Sequence, residues 1–248
     1  MSIIKLYGLP RSGGTLIYNI VKELHPEKNI EPQTHSYFSD GDLIVVTFRD
    51  FRDSIVSAWR VGKGFDNKSN IKLASYEGLF KYIIGTKDNI SSHLNKFKLE
   101  KSNRKILFLK YEDWINDYNF LFNTFENFFN LEINKKKRDD ILNKFSIENV
   151  RKMQSEYSSF KFYDKNTHFH GHHVYNGNPG TWKEIIKNKD QKILTYSIRK
   201  ELNQWEYRDF DDLTSFDSYI LSMRYFLNLF IYNIVTKNIN QIIKIIKK

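Results

Sequence analysis

The segment IIKLYGLPRSGGTLI at residues 3–17 decides how the chain folds. Residues 3–7 form an apolar run that ends in the turn residues Gly8 and Pro10, which is typical of a buried strand entering a tight turn. From Ser12 onward the apolar residues recur at helical spacing. A strand, a glycine-rich loop and a helix in this order predict an anion site, because backbone N–H groups converge there and the helix dipole favours negative charge.

The loop at residues 8–15 departs from the nucleotide-triphosphatase pattern at one position. Gly8, Gly13 and Thr15 match G-x-x-x-x-G-K-[ST], but Gly14 stands where the lysine belongs. That lysine reaches the β- and γ-phosphates, so its absence argues against an ordinary ATPase or kinase. Arg11 supplies a cation from another point of the loop, which suits a donor with a 5′-phosphate and a neighbouring transferable group. A nucleotide kinase or NTPase, and a glycine-rich turn without a ligand, stay open as alternatives.

Two further buried strands predict the rest of the sheet. They lie at residues 42–48 and 105–109, and each is followed by a helical pattern, at 53–59 and 118–129. Continuous apolar strands that alternate with helices imply a parallel sheet covered on both faces. We therefore expect an α/β fold, a three-layer sandwich whose central parallel sheet is flanked by helices and carries a P-loop-like phosphate-binding loop.

The chain divides into one domain and a tail. We expect the domain at residues 1–210 and a C-terminal helical extension at 211–248, because no linker or repeat interrupts the first range. The longest apolar stretch, 219–235, is broken by polar residues and falls short of the ~20 apolar residues of a spanning helix. We expect it to pack on the domain or to form a homodimer, with peripheral membrane contact as the alternative. No signal peptide is visible, so a cytoplasmic location is expected.

Composition narrows the chemistry. The chain has no cysteine, which excludes disulfides, cysteine-ligated zinc and thiol catalysis. The formal charge of +10 favours anionic partners without choosing among them. The abundance of lysine, asparagine and isoleucine can follow from genome composition alone, so the positive charge is not evidence for nucleic-acid binding. We expect no nucleic-acid partner.

A second candidate anion site follows the second strand, in the segment RDFRDSIVS at residues 49–57. Arg49 leaves the carboxyl end of that strand, where open α/β sheets bind ligands. Ser57 lies in the helix that follows, and an arginine and a hydroxyl that converge there can bind a second phosphate. The alternative interpretation makes the charged residues of this segment a surface salt-bridge cluster.

Four motifs together resemble those of the PAPS-dependent sulfotransferases, which use 3′-phosphoadenosine 5′-phosphosulfate (PAPS). PRSGGT at 10–15 looks like their 5′-phosphosulfate loop, P-[KR]-S-G-T-T, and RDFRDSIVS resembles their 3′-phosphate signature, R-[DN]-P-[RK]-D-x-x-x-S. KILFLKYEDW at 105–114 is similar to their third strand, and GNPGTWK at 177–183 looks like their late G-x-x-G-x-W-K element. The resemblance implies sulfuryl transfer from PAPS, with 3′-phosphoadenosine 5′-phosphate (PAP) as product and no metal.

The resemblance also implies the residues of the donor site. The 5′-phosphosulfate would bind Arg11, Ser12, Gly13, Gly14 and Thr15. The 3′-phosphate, the adenine and the closing loop would involve Arg49, Ser57, Tyr111 and Gly177. The sequence departs from the family pattern at several positions. Gly14 replaces a threonine, Phe51 replaces a proline, and Tyr175-Asn176 stands where many members have Arg-Lys.

Two catalytic roles remain in an in-line transfer: taking the acceptor's proton and stabilising charge on the leaving 5′-phosphate. His35, in the segment QTH, resembles the catalytic histidine of the family's K-T-H element, with Gln33 in place of the lysine. A histidine suits proton transfer because its pKa of roughly 6.5 lies near working pH. Arg11 would take the second role, and Asp40 or Asp42 is the alternative base.

The sequence leaves three points open: the role of a histidine run, the class of acceptor and whether the protein is catalytic. The run HFHGHH at 168–173 has the spacing of metal ligands, but a loop over the cofactor or substrate is the preferred interpretation. The segment between Thr15 and Arg49 is shorter than in the small-phenol enzymes of the family, which favours an open cleft for a sugar, lipid or peptide acceptor. A non-catalytic binding module of the same fold is the remaining alternative.

Overall fold

The structure is a computed structural model. It describes residues 3–28, 30–62, 91–171, 174, 177–186 and 188–207, together with positions 220, 223, 227, 230 and 234. Side chains are described over the same ranges except at 59–62, 188–190 and 193.

Three parallel strands form the sheet of the described residues, in the order β1-β2-β3. They are β1 (Ile4–Gly8), β2 (Leu43–Phe48) and β3 (Lys105–Lys110). Ile4 pairs with Leu43, and Leu43 pairs with Lys105, so the three carboxyl ends lie at one edge. The loops that follow the strands therefore meet at that edge.

Ten described helices surround the sheet, and their bounds are as follows. They are α1 (Gly14–Leu24), α2 (Phe51–Gly62), α3 (Ser92–Glu100), α4 (Tyr111–Trp114), α5 (Tyr118–Phe129), α6 (Lys135–Lys144), α7 (Ile147–Ser155), α8 (Thr181–Ile185), α9 (Asn188–Ser197) and α10 (Arg199–Gln204).

The central strand β2 explains why helices cover both faces. Successive side chains of a strand point to opposite faces. Ile44 and Val46 enter a core formed with α2, α3, α9 and α10, whereas Val45 enters a second core formed with α1, α5, α6 and α7. All three valine and isoleucine side chains are fully buried. The expected layered α/β fold, with a central parallel sheet flanked by helices, is therefore confirmed.

The predicted boundaries agree closely with the strands but less well with two helices. The α1 pattern was expected from Ser12, yet the helix begins at Gly14, because the loop between them turns through left-handed backbone at Arg11 and Gly13. Helix α2 begins at Phe51 rather than at Asp53. The prediction at 118–129 matches α5.

The C-terminal segment is described at five positions only. Ile220, Met223, Leu227, Phe230 and Ile234 are helical and exposed. The expected contacts of this extension with the domain, a second copy or a membrane stay predictions. Among the described residues, no helix combines the length and apolarity that crossing a bilayer requires.

Candidate active site

The loop between β1 and α1 has the geometry of an anion cradle. Gly13 is the N-cap of α1 with a φ of 78°, and no side chain caps the helix. The first-turn N–H groups of α1 are thus left without a side-chain acceptor, at the end where the helix dipole is positive. Arg11 also adopts a left-handed φ of 70°. Such a backbone is uncommon for a residue other than glycine and occurs often at ligand sites.

The walls of this loop are aromatic. A Cβ on Gly13 would lie 3.0 Å from the Trp114 ring and 3.0 Å from the Tyr111 ring, so only glycine fits without displacing them. Ser12 is buried, and its hydroxyl lies 2.8 Å from Thr47 Oγ1 and 3.1 Å from the Thr47 carbonyl oxygen. The Ser12 side chain therefore ties the loop to β2.

Arg49 stands at the carboxyl end of β2 and joins three parts of the site. Its Nη2 lies 2.9 Å from Asp53 Oδ2, and its Nη1 donates to the Arg11 carbonyl oxygen at 3.2 Å. The guanidinium lies 4.6 Å from the centre of the Tyr111 ring, within the range of a cation–π contact. Its Nε is buried without a hydrogen-bond partner.

Arg11 meets Ser57, the other residue of the predicted 3′-phosphate pair. Arg11 Nε donates to Ser57 Oγ at 2.9 Å, and its guanidinium lies 5.5 Å from the centre of the Phe160 ring. The structure thus brings the loop arginine and the α2 serine together from positions 46 residues apart.

The charged residues of the second motif are buried, so the alternative of a surface salt-bridge cluster is wrong. Arg52 donates from Nε and Nη2 to both carboxylate oxygens of Asp50, at 2.6–3.1 Å, and lies 4.3 Å from the centre of the Trp182 ring. Burial raises the pKa of the Asp50 carboxyl, while Arg52 opposes the rise. Asp50 and Arg52 form a structural pair that supports the strand end carrying Arg49.

Asp53 connects this motif with the late loop, a connection that sequence reasoning missed. Its Oδ2 accepts from the Gly180 N–H at 2.7 Å and its Oδ1 accepts from the Trp182 N–H at 2.8 Å. The same carboxylate pairs with Arg49. Both motifs were visible in the sequence, but no local signal pairs an acid with N–H groups 127 and 129 residues away.

Tyr111 closes the far side of the site. Its hydroxyl donates to the Gly177 carbonyl oxygen at 2.5 Å. Burial raises the pKa of Tyr111 to about 12, so the hydroxyl stays protonated as a donor near neutral pH. The next residue, Glu112, accepts from the Asp50 N–H at 2.9 Å and from the Tyr207 hydroxyl at 3.0 Å. Burial raises the pKa of the Glu112 carboxyl as well.

These groups line a cleft with a cavity volume of about 100 Å³. Its lining includes Arg11, Gly13, Arg49, Asp53, Ser57, Tyr111, Gly177, Asn178, Thr181 and Trp182. The predicted site residues Arg11, Gly13, Arg49, Ser57, Tyr111 and Gly177 are therefore brought together, although their roles toward a donor stay predictions.

His35 contacts the start of the loop but is not among the residues that line the cleft. Its Nδ1 lies 2.5 Å from the carbonyl oxygen of Gly8, the first residue of the loop. A carbonyl oxygen only accepts, so this contact makes Nδ1 the protonated nitrogen and leaves Nε2 as the basic one. Its role as base stays a prediction.

The histidines of the run at 168–173 are described in part. His170 stacks on the Phe160 ring with 4.4 Å between centroids, and its Nδ1–H donates to the Phe160 carbonyl oxygen at 2.7 Å. His168 stacks on Tyr163 at 5.6 Å. His172 and His173 lie outside the described residues. Within the described part of the chain, no cluster of three histidine or acidic side chains is arranged to hold a metal.

Comparisons with known proteins agree with this fold. A family model, described as the sulfotransferase domain, matches residues 35–206. The structure is similar to a mouse sulfotransferase, SULT7A1, complexed with PAP, with a TM-score of 0.59 and 16% identity over 83% of this chain and 85% of that one. It is also similar to a retinol dehydratase in complex with androsterone and PAP, with a TM-score of 0.60 and 13% identity over 86% of this chain and 82% of that one.

No curated protein sequence matches the chain. The two structures share only the fold with it at this level of identity. The family model, however, covers more than half of the chain and includes Arg49, Ser57, Tyr111 and Gly177. The chain therefore belongs to the sulfotransferase domain family.

Proposed function

We propose that the protein transfers a sulfuryl group from PAPS to a hydroxyl or amine of an acceptor, by in-line transfer. The observation that carries the proposal is one cleft lined by Arg11 and Arg49, next to the uncapped N-terminus of α1, in a sulfotransferase domain. Two cations on separate elements suit a nucleotide with phosphate groups at both its 5′ and 3′ positions. The two similar structures were solved with PAP, which has these two phosphates.

Each donor phosphate has a candidate partner in this scheme. The loop residues Arg11 to Thr15 would hold the 5′-phosphosulfate, and Arg11 would stabilise the charge that develops on the leaving phosphate. Arg49 and Ser57 would hold the 3′-phosphate. The Tyr111 ring would contact the adenine, and the carbonyl of Gly177 would keep Tyr111 in place. No residue of this scheme requires a metal.

His35 would act as the general base. Its Nδ1–H donates to the Gly8 carbonyl oxygen, so the Nε2 lone pair is the one available to take the acceptor's proton. The side chain is exposed, which allows an acceptor from solution to reach it. An exposed base favours a large acceptor such as a carbohydrate, lipid or peptide over a fully enclosed small phenol.

Calorimetry with PAP, and separately with ATP and Mg²⁺, tests the donor assignment. We expect saturable binding of PAP and weaker binding of ATP–Mg²⁺, because Gly14 replaces the lysine that reaches the β- and γ-phosphates. Failure to bind PAP would overturn the proposal, and tight Mg²⁺-dependent ATP binding would favour a kinase or NTPase instead.

Removing the strand-end arginine tests its role in this site. Arg49→Ala should weaken PAP binding at least tenfold, because a charge-assisted contact is worth about 1.5–3 kcal/mol. Arg49→Lys keeps the charge opposite Asp53 and should recover only part of the affinity, because lysine lacks the planar fork. Arg138→Ala, which removes a half-buried arginine that pairs with Glu126 and does not line the cleft, is the control for net charge and should bind PAP as the wild type does.

Transfer of labelled sulfate from PAPS, screened across phenols, glycans, lipids and tyrosyl peptides, identifies the acceptor class. On the acceptor found, His35→Ala should lower kcat by about 10²–10⁴-fold, the range of general-base catalysis, with PAP affinity retained. Full activity in this variant would remove His35 from the mechanism and point to Asp40 or Asp42.

A further inference from the structure

The side chain of Gln33 lies against the phosphate loop at both of its ends. A Cβ added to Gly14 would come 1.7 Å from Gln33 Oε1 and 2.7 Å from Gln33 Cδ. A Cβ added to Gly8 would come 2.2 Å from the same oxygen. The carboxamide therefore occupies the space that side chains at these two positions would fill.

The glycine at position 14 is explained by this contact rather than by its backbone. Gly14 is the first residue of α1 and has helical conformation, which any residue can adopt. Glycine is a poor helix former, about 1 kcal/mol less favourable than alanine in a helix interior. What Gly14 provides is room: a threonine there, as in the family pattern, would displace the Gln33 carboxamide.

Backbone hydrogen bonds hold Gln33 in this position. Its neighbour Thr34 forms a parallel bridge with Tyr7 of β1, in which the Thr34 N–H donates to the Leu6 carbonyl oxygen and the Gly8 N–H donates to the Thr34 carbonyl oxygen, each at 3.0 Å. On the far side His35 contacts the Gly8 carbonyl oxygen. The main chain at 33–35 is thus fixed to the strand that leads into the loop. The fixed main chain in turn places the Gln33 side chain against the loop.

One atom of the carboxamide is an unsatisfied hydrogen-bond acceptor. Gln33 Oε1 is buried and has no hydrogen-bond partner. A buried polar atom without a partner is unfavourable by about 1–3 kcal/mol. Oxygen and nitrogen of a glutamine amide exchange places by a half-turn of the terminal torsion. The turned amide would point N–H into the loop, where the oxygen of a bound anion can accept from it.

We propose that Gln33 is a donor-binding residue of this enzyme, and that its carboxamide N–H contacts the 5′-phosphosulfate through the space that Gly14 leaves open. The inference rests on the proposed function. In it, the two departures from the family pattern, glutamine for lysine at 33 and glycine for threonine at 14, form one coupled unit. A neutral amide and a glycine thus stand where the family pattern has a cation and a hydroxyl.

Two nucleotides that differ only at the 5′ position test the contact by calorimetry: PAP and adenosine 3′-monophosphate. Gln33→Ala should lower the affinity for PAP by roughly ten- to hundredfold, which is the contribution of a hydrogen bond to a charged group. It should leave adenosine 3′-monophosphate unchanged, because that ligand has no group at the 5′ end. Arg49→Ala is the matched control and should lower the affinity for both nucleotides.

A double-mutant cycle tests the coupling between the two positions. Gly14→Ala should weaken PAP as much as Gln33→Ala does, because its Cβ displaces the same amide, and the melting temperature should hardly change because the displaced group is the end of a flexible side chain. The double variant Gly14→Ala/Gln33→Ala should bind PAP no more weakly than either single variant. Single effects that multiply in the double variant would overturn the inference.

Gln33→Glu separates binding from packing, since it keeps the shape of the side chain. A carboxylate next to the donor phosphate should weaken PAP more than Gln33→Ala does. Wild-type affinity in Gln33→Glu, or an equal loss for adenosine 3′-monophosphate in Gln33→Ala, would refute a contact with the 5′ group while the proposed function stands. Absence of PAP binding by the wild type would instead refute the proposed function itself.

Discussion

Asp53 shows how one buried side chain can organise a site made from distant segments. Its two carboxylate oxygens accept from the N–H groups of Gly180 and Trp182, and the same carboxylate pairs with Arg49. Losing one partner of a buried ion pair leaves an uncompensated charge, which is strongly destabilising. The aspartate of the second motif is therefore as necessary to the cleft as the arginine that lines it.

Gly13 and Gly180 make a matched pair for a prediction on the loop. Both have left-handed backbone, with φ of 78° and 79°, but a Cβ on Gly13 would meet two aromatic rings at 3.0 Å whereas a Cβ on Gly180 would meet nothing within 4 Å. Gly180→Ala should lower the free energy of unfolding by about 1–2 kcal/mol, the usual strain of this conformation. Gly13→Ala should lower it further and should also weaken PAP binding, because Tyr111 and Trp114 must move.

Urea unfolding and calorimetry with PAP check both variants. Equal destabilisation of the two would show that the rings at Gly13 yield freely, which would contradict the rigid aromatic wall described above.

Motifs in the sequence identified Arg49 and Ser57 because each lies at a fixed offset from a recognisable strand. Asp53 was part of the same motif, yet its role was invisible, since it depends on N–H groups that the fold brings in from the late loop. Gln33 was recognised as a departure from the family pattern, but its contact with Gly14 required the path of the main chain at 33–35.

The aromatic helix α5 packs against one face of the sheet, and only one side of the helix is buried there. Phe125 is fully buried in the second core, whereas Phe120, on the same helix, is 45% exposed. Phe125→Ala should lower the free energy of unfolding by about 3–5 kcal/mol, the usual result of removing a buried phenylalanine. Phe120→Ala should change it by less than about 0.5 kcal/mol, as exposed substitutions usually do. Chemical denaturation measures both, and similar losses would contradict the assigned helix orientation.

The end of α1 predicts a pH effect on stability. His25 is buried beside Phe129, and burial lowers its pKa below the ordinary value of about 6.5. Between the lowered pKa and about 6.5 the unfolded chain binds more protons than the folded one, so stability falls as the pH drops through this range. Replacing the imidazole by a phenyl ring, in His25→Phe, removes this contribution.

Melting temperatures from pH 7.5 down to pH 5 should therefore fall for the wild type and fall less for His25→Phe. An unchanged slope in the variant would show that other groups carry the pH dependence. Burial also lowers the pKa of His168, so part of the slope should remain.

Elements with a regular apolar pattern were predicted well, and those without one were not. The strands β2 and β3 contain the unbroken apolar runs 43–46 and 106–109, and α5 keeps its helical spacing of buried residues throughout. The bridge between Tyr7 and Thr34 extends the outer side of β1 at one residue, which has no pattern of its own. This bridge forms because the loop that contains Thr34 packs along the outer edge of the sheet.

Across the entire domain, charge should govern how strongly the donor binds. The chain has a formal charge of +10 and the cleft has two arginines, whereas PAP carries two phosphates. We expect the affinity for PAP to fall steadily as KCl rises above about 0.1 M, where the screening length is about 10 Å. Adenosine, which has no phosphate, should show no such trend in the same titrations. A PAP affinity independent of salt would contradict an electrostatic donor site.

The aromatic wall of the phosphate loop also gives the protein a built-in optical signal. Trp114 is fully buried behind Gly13 and lies 5.1 Å, centroid to centroid, from Tyr111. Trp182 lines the cleft itself and packs against the guanidinium of Arg52. A nucleotide that binds in the cleft should change the surroundings of the Trp182 indole, and it should affect Trp114 through the Tyr111 ring that separates Trp114 from the cleft. Donor occupancy can thus be followed by intrinsic fluorescence, without a label and before any acceptor is known.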